Sequence, residues 1–208
     1  MIDVPDLEAA SAQDVLAYAV DRFGAGLRTA CSFQKEESVL AHMLAEIAPG
    51  ARLFTIDTGV LFPETEATGA QFRARFPTLV IDTVDARDPT GAGWTRERCC
   101  GGAKVAALAT ALSGAEAWVT GIRREQGPTR AGARKLERDT ARGLWKVNPL
   151  ADWTDRDVWA YIAAHELPYH PLHDHGYESI GCAPCTLPGS GREGRWSGEE
   201  KTECGLHL

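Results

Sequence analysis

Of the six cysteines in the 208-residue chain, four come in two pairs. Cys99 and Cys100 are adjacent in "RERCCGGAK", and Cys182 and Cys185 form the C-x-x-C of "GCAPCT". Adjacent cysteines pair with each other poorly, because the small ring strains the peptide between them. A C-x-x-C alone is ambiguous between a redox pair and half of a metal site. A thioredoxin-like redox pair opens a helix after the first strand of a small domain, which does not fit a pair this late in the chain. Together the two pairs offer four thiolates, a set that suits zinc or an iron–sulfur cluster. Zinc pairs usually leave roughly two to four residues between ligands. The doublet therefore favours a bulkier cluster, whose separate irons can take neighbouring side chains.

The remaining cysteines read differently. Cys204 lies near the C-terminus in "ECGLHL", with Gly205 allowing a sharp turn and His207 close by. A chain end is rarely core material, and a thiolate near His or Arg becomes a nucleophile. Cys31 ends a predicted buried strand and reads as a small core residue. His170, His173 and His175 precede the C-x-x-C and could join it at zinc. That would leave the doublet without a role, and Pro168 and Pro171 suggest a rigid connecting loop instead.

The elements that must position these groups alternate between strand and helix. "GLRTACSF", "ARLFTIDTG", "TLVIDTVD", "AEAWVTGI" and "LWKVNPLADW" read as strands, the last breaking at Pro149. "EESVLAHMLAEIA", "FPETEATGAQFRARF", "GAKVAALATALSG" and "TDRDVWAYIAAHEL" read as helices. Pro63 opens the second, Gly114 stops the third, and Thr154-x-x-Asp157 caps the fourth. Such alternation predicts an α/β fold, a mostly parallel sheet with helices on both faces. Ligands of such sheets bind at the carboxyl ends of the strands. "SFQKEES", "DTG", "DARD" and "TGIRREQ" follow four predicted strands and should converge on one rim. After Leu167 the chain turns irregular, rich in Pro, Gly, His and Cys, which marks a functional segment.

Composition bounds the remainder. Length and an apolar content of 44% predict one domain over residues 1–208 with a full core. No basic leader and no membrane-length apolar run stand in the sequence, so a cytoplasmic protein with reduced thiols is expected. A net charge of −7 argues against a nucleic-acid partner. One stretch runs the other way: residues 123–142 hold seven Arg or Lys against three Asp or Glu. Arg123 and Arg130 are its best candidates for an anion site, with Arg134, Lys135, Arg138 and Arg142 expected on a solvated face. Glu36 and Glu37 read as acids placed by the dipole of a first helical turn.

The doublet "CCGGAK", the pair "GCAPCT" and the terminal "ECGLH" together resemble the assimilatory adenylyl-sulfate reductases, iron–sulfur members of the adenylyl-sulfate and phosphoadenylyl-sulfate reductase family. "SFQKEES", "IDTGVLFPET", "GIRREQGPTR", "VNPLADWTDRDVWAYI" and "LPYHPLHDHGYESIGC" extend the likeness from about Thr29 onward. The resemblance implies an adenine nucleotide alpha hydrolase-like fold and a [4Fe-4S] cluster on Cys99, Cys100, Cys182 and Cys185. It implies that the Cys204 thiolate attacks the sulfur of adenylyl sulfate, leaving AMP and an S-sulfocysteine. Reduced thioredoxin, or glutaredoxin, then releases sulfite as a separate electron donor. Lys104, Arg192, Arg195 and His207 would contact the sulfate end. Ser32, Phe33 and Gln34 would form the phosphate-side loop, and Asp57, Thr58 and Gly59 would frame the nucleotide with Gly121, Arg123 and Arg130. Residues 186–208 would be a mobile tail hinged at Gly189 to Gly191. A phosphoadenylyl-sulfate or dual-specificity reductase and an iron–sulfur redox sensor are the alternatives. A tRNA-thiolating enzyme would want a pyrophosphatase loop and a broad basic surface, and both are missing. Homo-oligomerisation is left open.

Overall fold

The computed structural model describes residues 5–87 and 94–196. Its core is a six-stranded sheet in the order β3-β2-β1-β4-β6-β5. The strands are β1 (Leu27–Ala30), β2 (Arg52–Asp57), β3 (Val80–Asp85), β4 (Ala117–Val119), β5 (Leu136–Asp139) and β6 (Leu144–Val147). All neighbours are parallel except β5 and β6. The chain steps outward from β1 to β3, then returns to lay β4 on the other side of β1. The order therefore reverses between β1 and β4, which opens a crevice at their carboxyl ends.

Helices cover both faces, as the alternation predicts. Helices α1 (Ala12–Phe23), α2 (Lys35–Ile47), α3 (Pro63–Arg75) and α6 (Asp155–Ala164) contribute to the larger core, around Leu16, Leu40, Phe72 and Val158. Helix α5 (Lys104–Ala111) packs Leu108 against Phe54 and Trp118 in a second core. Pro63 starts α3, and Thr154 caps α6 through the amide of Asp157.

Three local readings need correction. Helix α1 is absent from the strand–helix reading, although Ser11 marks its start by accepting from the Asp14 amide at 3.1 Å. The helix read from Gly102 begins earlier: α4 (Arg96–Arg98) runs through a π-helical turn (Cys99–Ala103) into α5. The expected solvated face at residues 134–142 contains β5; Arg134 and Arg138 are exposed as expected, but Lys135 is only 2% exposed. Its ammonium donates to the carbonyl of Ala10 at 2.6 Å and pairs with Asp152 at 2.7 Å. A long amphipathic cation fills a gap between elements there, rather than facing water.

Candidate active site

A cavity of about 560 Å³ opens at the carboxyl ends of β1 and β4, a volume ordinary for a small-molecule site. Ser32, Gln34, Lys104, Gly121, Arg123, Arg130, Cys182, Arg192 and Arg195 all line it. The loops after β1 and β4 thus meet the segments that carry the cysteines.

The β1–α2 loop is organised around Glu37. Its Oε2 accepts from Ser32 Oγ at 2.8 Å and from the Gln34 amide at 3.2 Å. Burial, with the adjacent Glu36, pushes the Glu37 carboxyl up to about 7. Gln34 extends the network, donating to Ser32 at 2.9 Å and accepting from the Ile180 amide at 2.8 Å. Phe33 faces elsewhere. It sits at φ 59°, its ring edge-on to Phe72 at 5.3 Å in the core. The dipole-only reading of Glu36 and Glu37 is therefore incomplete, since both are buried parts of the cavity wall.

Across the crevice, Gly121 lets β4 approach α2 closely. A Cβ there would stand 2.7 Å from Glu37 Oε1 and 2.8 Å from Glu36 Cβ. Arg123 follows, 4% exposed and held by three carboxylates: Glu36 at 3.0 Å, Glu125 at 2.9 Å and Asp155 at 2.9 Å. Lys35, also buried, meets the same Asp155 oxygen at 2.5 Å. Arg130 donates to Gln126 at 2.6 Å. Charge counting along the sequence cannot find the pairings with Glu36 and Asp155, because those acids come from α2 and the start of α6.

The cysteines gather on the opposite side of the rim. Cys99, Cys100, Cys182 and Cys185 are all free and buried. The π-helical turn carries the doublet, with the Lys104 amide donating to the Cys99 carbonyl. Cys185 is fixed by its amide to the Cys182 carbonyl at 2.9 Å, and its own carbonyl accepts from Trp196 at 3.0 Å. The Cys99 thiol hydrogen-bonds Cys100 and Cys182, which pushes its own titration up. That bond from Cys99 pulls the Cys182 thiol down, and the charge of Lys104 and the hydroxyl of Thr58 act in the same direction. Thr58 Oγ1 lies 3.2 Å from Cys182 Sγ. Asp57 and Gly59 form the turn beside it, where Asp57 pairs with Arg87 at 2.6 Å and accepts from the Gly59 amide at 2.7 Å. Neither lines the cavity.

Arg195 ties this side together. It donates to Ser179 Oγ at 3.2 Å and the Ile180 carbonyl at 3.1 Å, and stacks over Trp196 at 4.6 Å. Gly181 makes room for it, since a Cβ there would meet Arg195 Nη2 at 2.3 Å. Residues 186–196 fold back on the C-x-x-C through the Thr186–Arg195 bridge. Cys204 and His207 lie outside the described residues. Among the described residues, no group of three His, Cys, Asp or Glu side chains is arranged to hold a metal ion. His170 is fully buried and bonds Thr65 at 2.9 Å, and His173 bonds the Tyr177 carbonyl at 2.7 Å. Both histidines brace a connecting loop. Cys31 is buried at the end of β1, and burial pushes its thiol up.

Residues 26–188 match the family model described as the phosphoadenosine phosphosulfate reductase domain. The chain belongs to this reductase family. It is 41% identical over 224 residues to the adenosine 5'-phosphosulfate reductase of Geobacillus kaustophilus (strain HTA426), covering 98% of this chain and 92% of that one. It is 42% identical over 216 residues to the phosphoadenosine 5'-phosphosulfate reductase of Gloeobacter violaceus (strain ATCC 29082 / PCC 7421), covering 93% and 87%. A crystal structure of phosphoadenylyl-sulfate reductase from Candida auris, in a phosphate complex, superposes with a TM-score of 0.71 at 26% identity. It covers 89% of this chain and 99% of that one. The reductase family accounts for the parallel sheet and for the adenine nucleotide alpha hydrolase-like fold. Its members matched here carry two substrate names, differing by a 3'-phosphate.

Proposed function

We propose that this chain is an adenylyl-sulfate reductase of sulfate assimilation, producing sulfite and AMP with reduced thioredoxin or glutaredoxin as donor. The observation that carries this reading is the cavity itself, which joins a nucleotide-sized crevice to Lys104, Arg192, Arg195 and Cys182. The Cys204 thiolate attacks the sulfonate sulfur, forming an S–S bond as the S–O bond breaks. AMP leaves with the electron pair. A thioredoxin thiolate then attacks Cys204 Sγ, and sulfite departs with the electrons of the broken S–S bond. The donor's second thiol resolves the mixed disulfide, restoring the Cys204 thiolate and leaving oxidised donor. Two electrons reach sulfur, both from the donor dithiol.

In this reading Cys99, Cys100, Cys182 and Cys185 hold a [4Fe-4S] cluster. The donor set fits in its chemistry: four buried free thiols come from two segments. Trp94 packs against Cys182 and Cys185, and its side chain hydrogen-bonds Cys99. When bound, the cluster supplies a fixed negative charge near the sulfonate site. Lys104, with Arg192 and Arg195, offsets the charge of the substrate and raises nucleophilicity by favouring thiolate. His207 would assist at Cys204. A cytoplasmic setting fits reduced thiols, and no described helix is long and apolar enough to cross a membrane.

Anaerobically purified protein incubated with adenylyl sulfate, without thioredoxin, tests the mechanism. Peptide mass spectrometry should find an added SO₃ on Cys204. No adduct, in protein that holds its cluster, would overturn the nucleophile and bring the redox-sensor reading forward.

A further inference from the structure

The basic stretch after β4 looks from sequence like an anion site, and it puts two cations in the cavity: Arg130 donates to Gln126, while Arg123 is already matched by carboxylates. Each guanidinium nitrogen of Arg123 meets a carboxylate, and Lys35 shares one of them. Asp155 Oδ1 is the common point, 2.5 Å from Lys35 Nζ and 2.9 Å from Arg123 Nη2. Glu36 and Glu125 complete the group at 3.0 Å and 2.9 Å from Arg123. Glu125 also accepts from the Asp155 amide at 2.6 Å, which locks the two acids together. Two cations thus meet three carboxylates, and the cluster presents no surplus positive charge.

Its position matters as much as its sum. Lys35 opens α2 and Asp155 opens α6, on the face of the larger core. Lys104 opens α5 on the opposite face, beside Cys182. In the reductase reading, a nucleotide with its sulfonate at Lys104 would extend its adenosine toward Asp155, since both residues line the one cavity. Adenosine is uncharged and suits that end. A ribose phosphate beside Asp155 and Glu125 would face carboxylates whose own cations, Lys35 and Arg123, are already paired, and would lose water against like charge. Selection by repulsion needs no contact to the 3'-hydroxyl.

We propose that Asp155, with Glu125, is a specificity-determining pair that excludes 3'-phosphorylated nucleotides. This rests on the reductase reading above. The test compares kcat/KM for adenylyl sulfate and phosphoadenylyl sulfate in wild type, Asp155→Asn and Glu125→Gln, with melting curves to confirm folding. Wild type should favour adenylyl sulfate by about tenfold or more. Each variant should narrow that ratio several-fold, through a lower KM for the phosphorylated substrate. Equal use of both substrates by wild type, or an unchanged ratio in both variants, overturns the proposal and leaves the reductase reading intact. Should Asp155→Asn fail to fold, Glu125→Gln, whose side chain is 53% exposed, decides alone. Reduction of neither nucleotide would sink the reductase reading instead. Calorimetric titration with AMP and adenosine 3',5'-bisphosphate then decides selection, with tighter AMP supporting it and equal affinity overturning it.

Discussion

Gln34 accepts a hydrogen bond from the backbone amide of Ile180 at 2.8 Å, joining residues 146 positions apart. One side chain thereby connects the loop after β1 to the segment that delivers Cys182. Nε2 of the same Gln34 side chain donates to Ser32, whose hydroxyl donates to Glu37. Nucleotide wall and thiol group are coupled through a chain of three side chains.

Gln34→Ala should uncouple them. The Ile180 amide loses its acceptor in a half-buried site, at a cost of about 1–3 kcal/mol. Denaturant unfolding should show that loss, and AMP affinity should fall with it. A variant of wild-type stability would mean that water replaces the side chain.

Glu37 makes stability depend on pH. Its carboxyl titrates at about 7 when folded, against 4.5 ordinarily, because of burial and then Glu36. A raised carboxyl binds its proton more tightly in the folded state. Its contribution is therefore full below about 4.5 and is lost as pH rises through about 7, on the order of 3 kcal/mol in all. Urea midpoints at pH 5 and pH 8 should show wild type losing more stability than Glu37→Gln. Parallel losses in the two proteins would refute this.

Gly121→Ala places a methyl 2.7 Å from Glu37 Oε1 and 2.8 Å from Glu36 Cβ. Over-packing of this kind costs roughly 1–3 kcal/mol. The expected result is a lower melting temperature together with weaker nucleotide binding, since the displaced acids line the cavity. A variant with unchanged melting and binding would show that the crevice yields freely.

Cys100→Ser should lose cluster absorbance and bound iron together with reductase activity, measured on anaerobically purified protein. Full activity in an iron-free variant would separate the cluster from the reaction.

The strand–helix alternation was readable because buried parallel strands and capped helices leave strong local patterns. Thr154 and Pro63 mark α6 and α3 without help from tertiary structure. The cavity's cysteines and Lys104 were also readable, since their chemistry is unusual at those spacings. Glu36, Asp155 and Lys35 were not. An acid at the start of a helix has an ordinary local explanation, and only the sheet order reveals that α2 and α6 bring theirs to one arginine. Strand β5 was hidden by its charges. Lys135 looks solvated until Ala10 and Asp152 close around its ammonium, whereas Arg138 stays exposed while lying over Trp145 at 4.9 Å.

The π-helical turn at Cys99–Ala103 carries an evolutionary implication. Such a turn behaves as one residue inserted into an α-helix. Deleting a single residue there would restore regular winding and swing everything before it by about 100° around the axis. The doublet's sulfurs would no longer converge on Cys182. A lineage could therefore gain or abandon the thiol nest by one codon of length, without rebuilding the sheet beneath it.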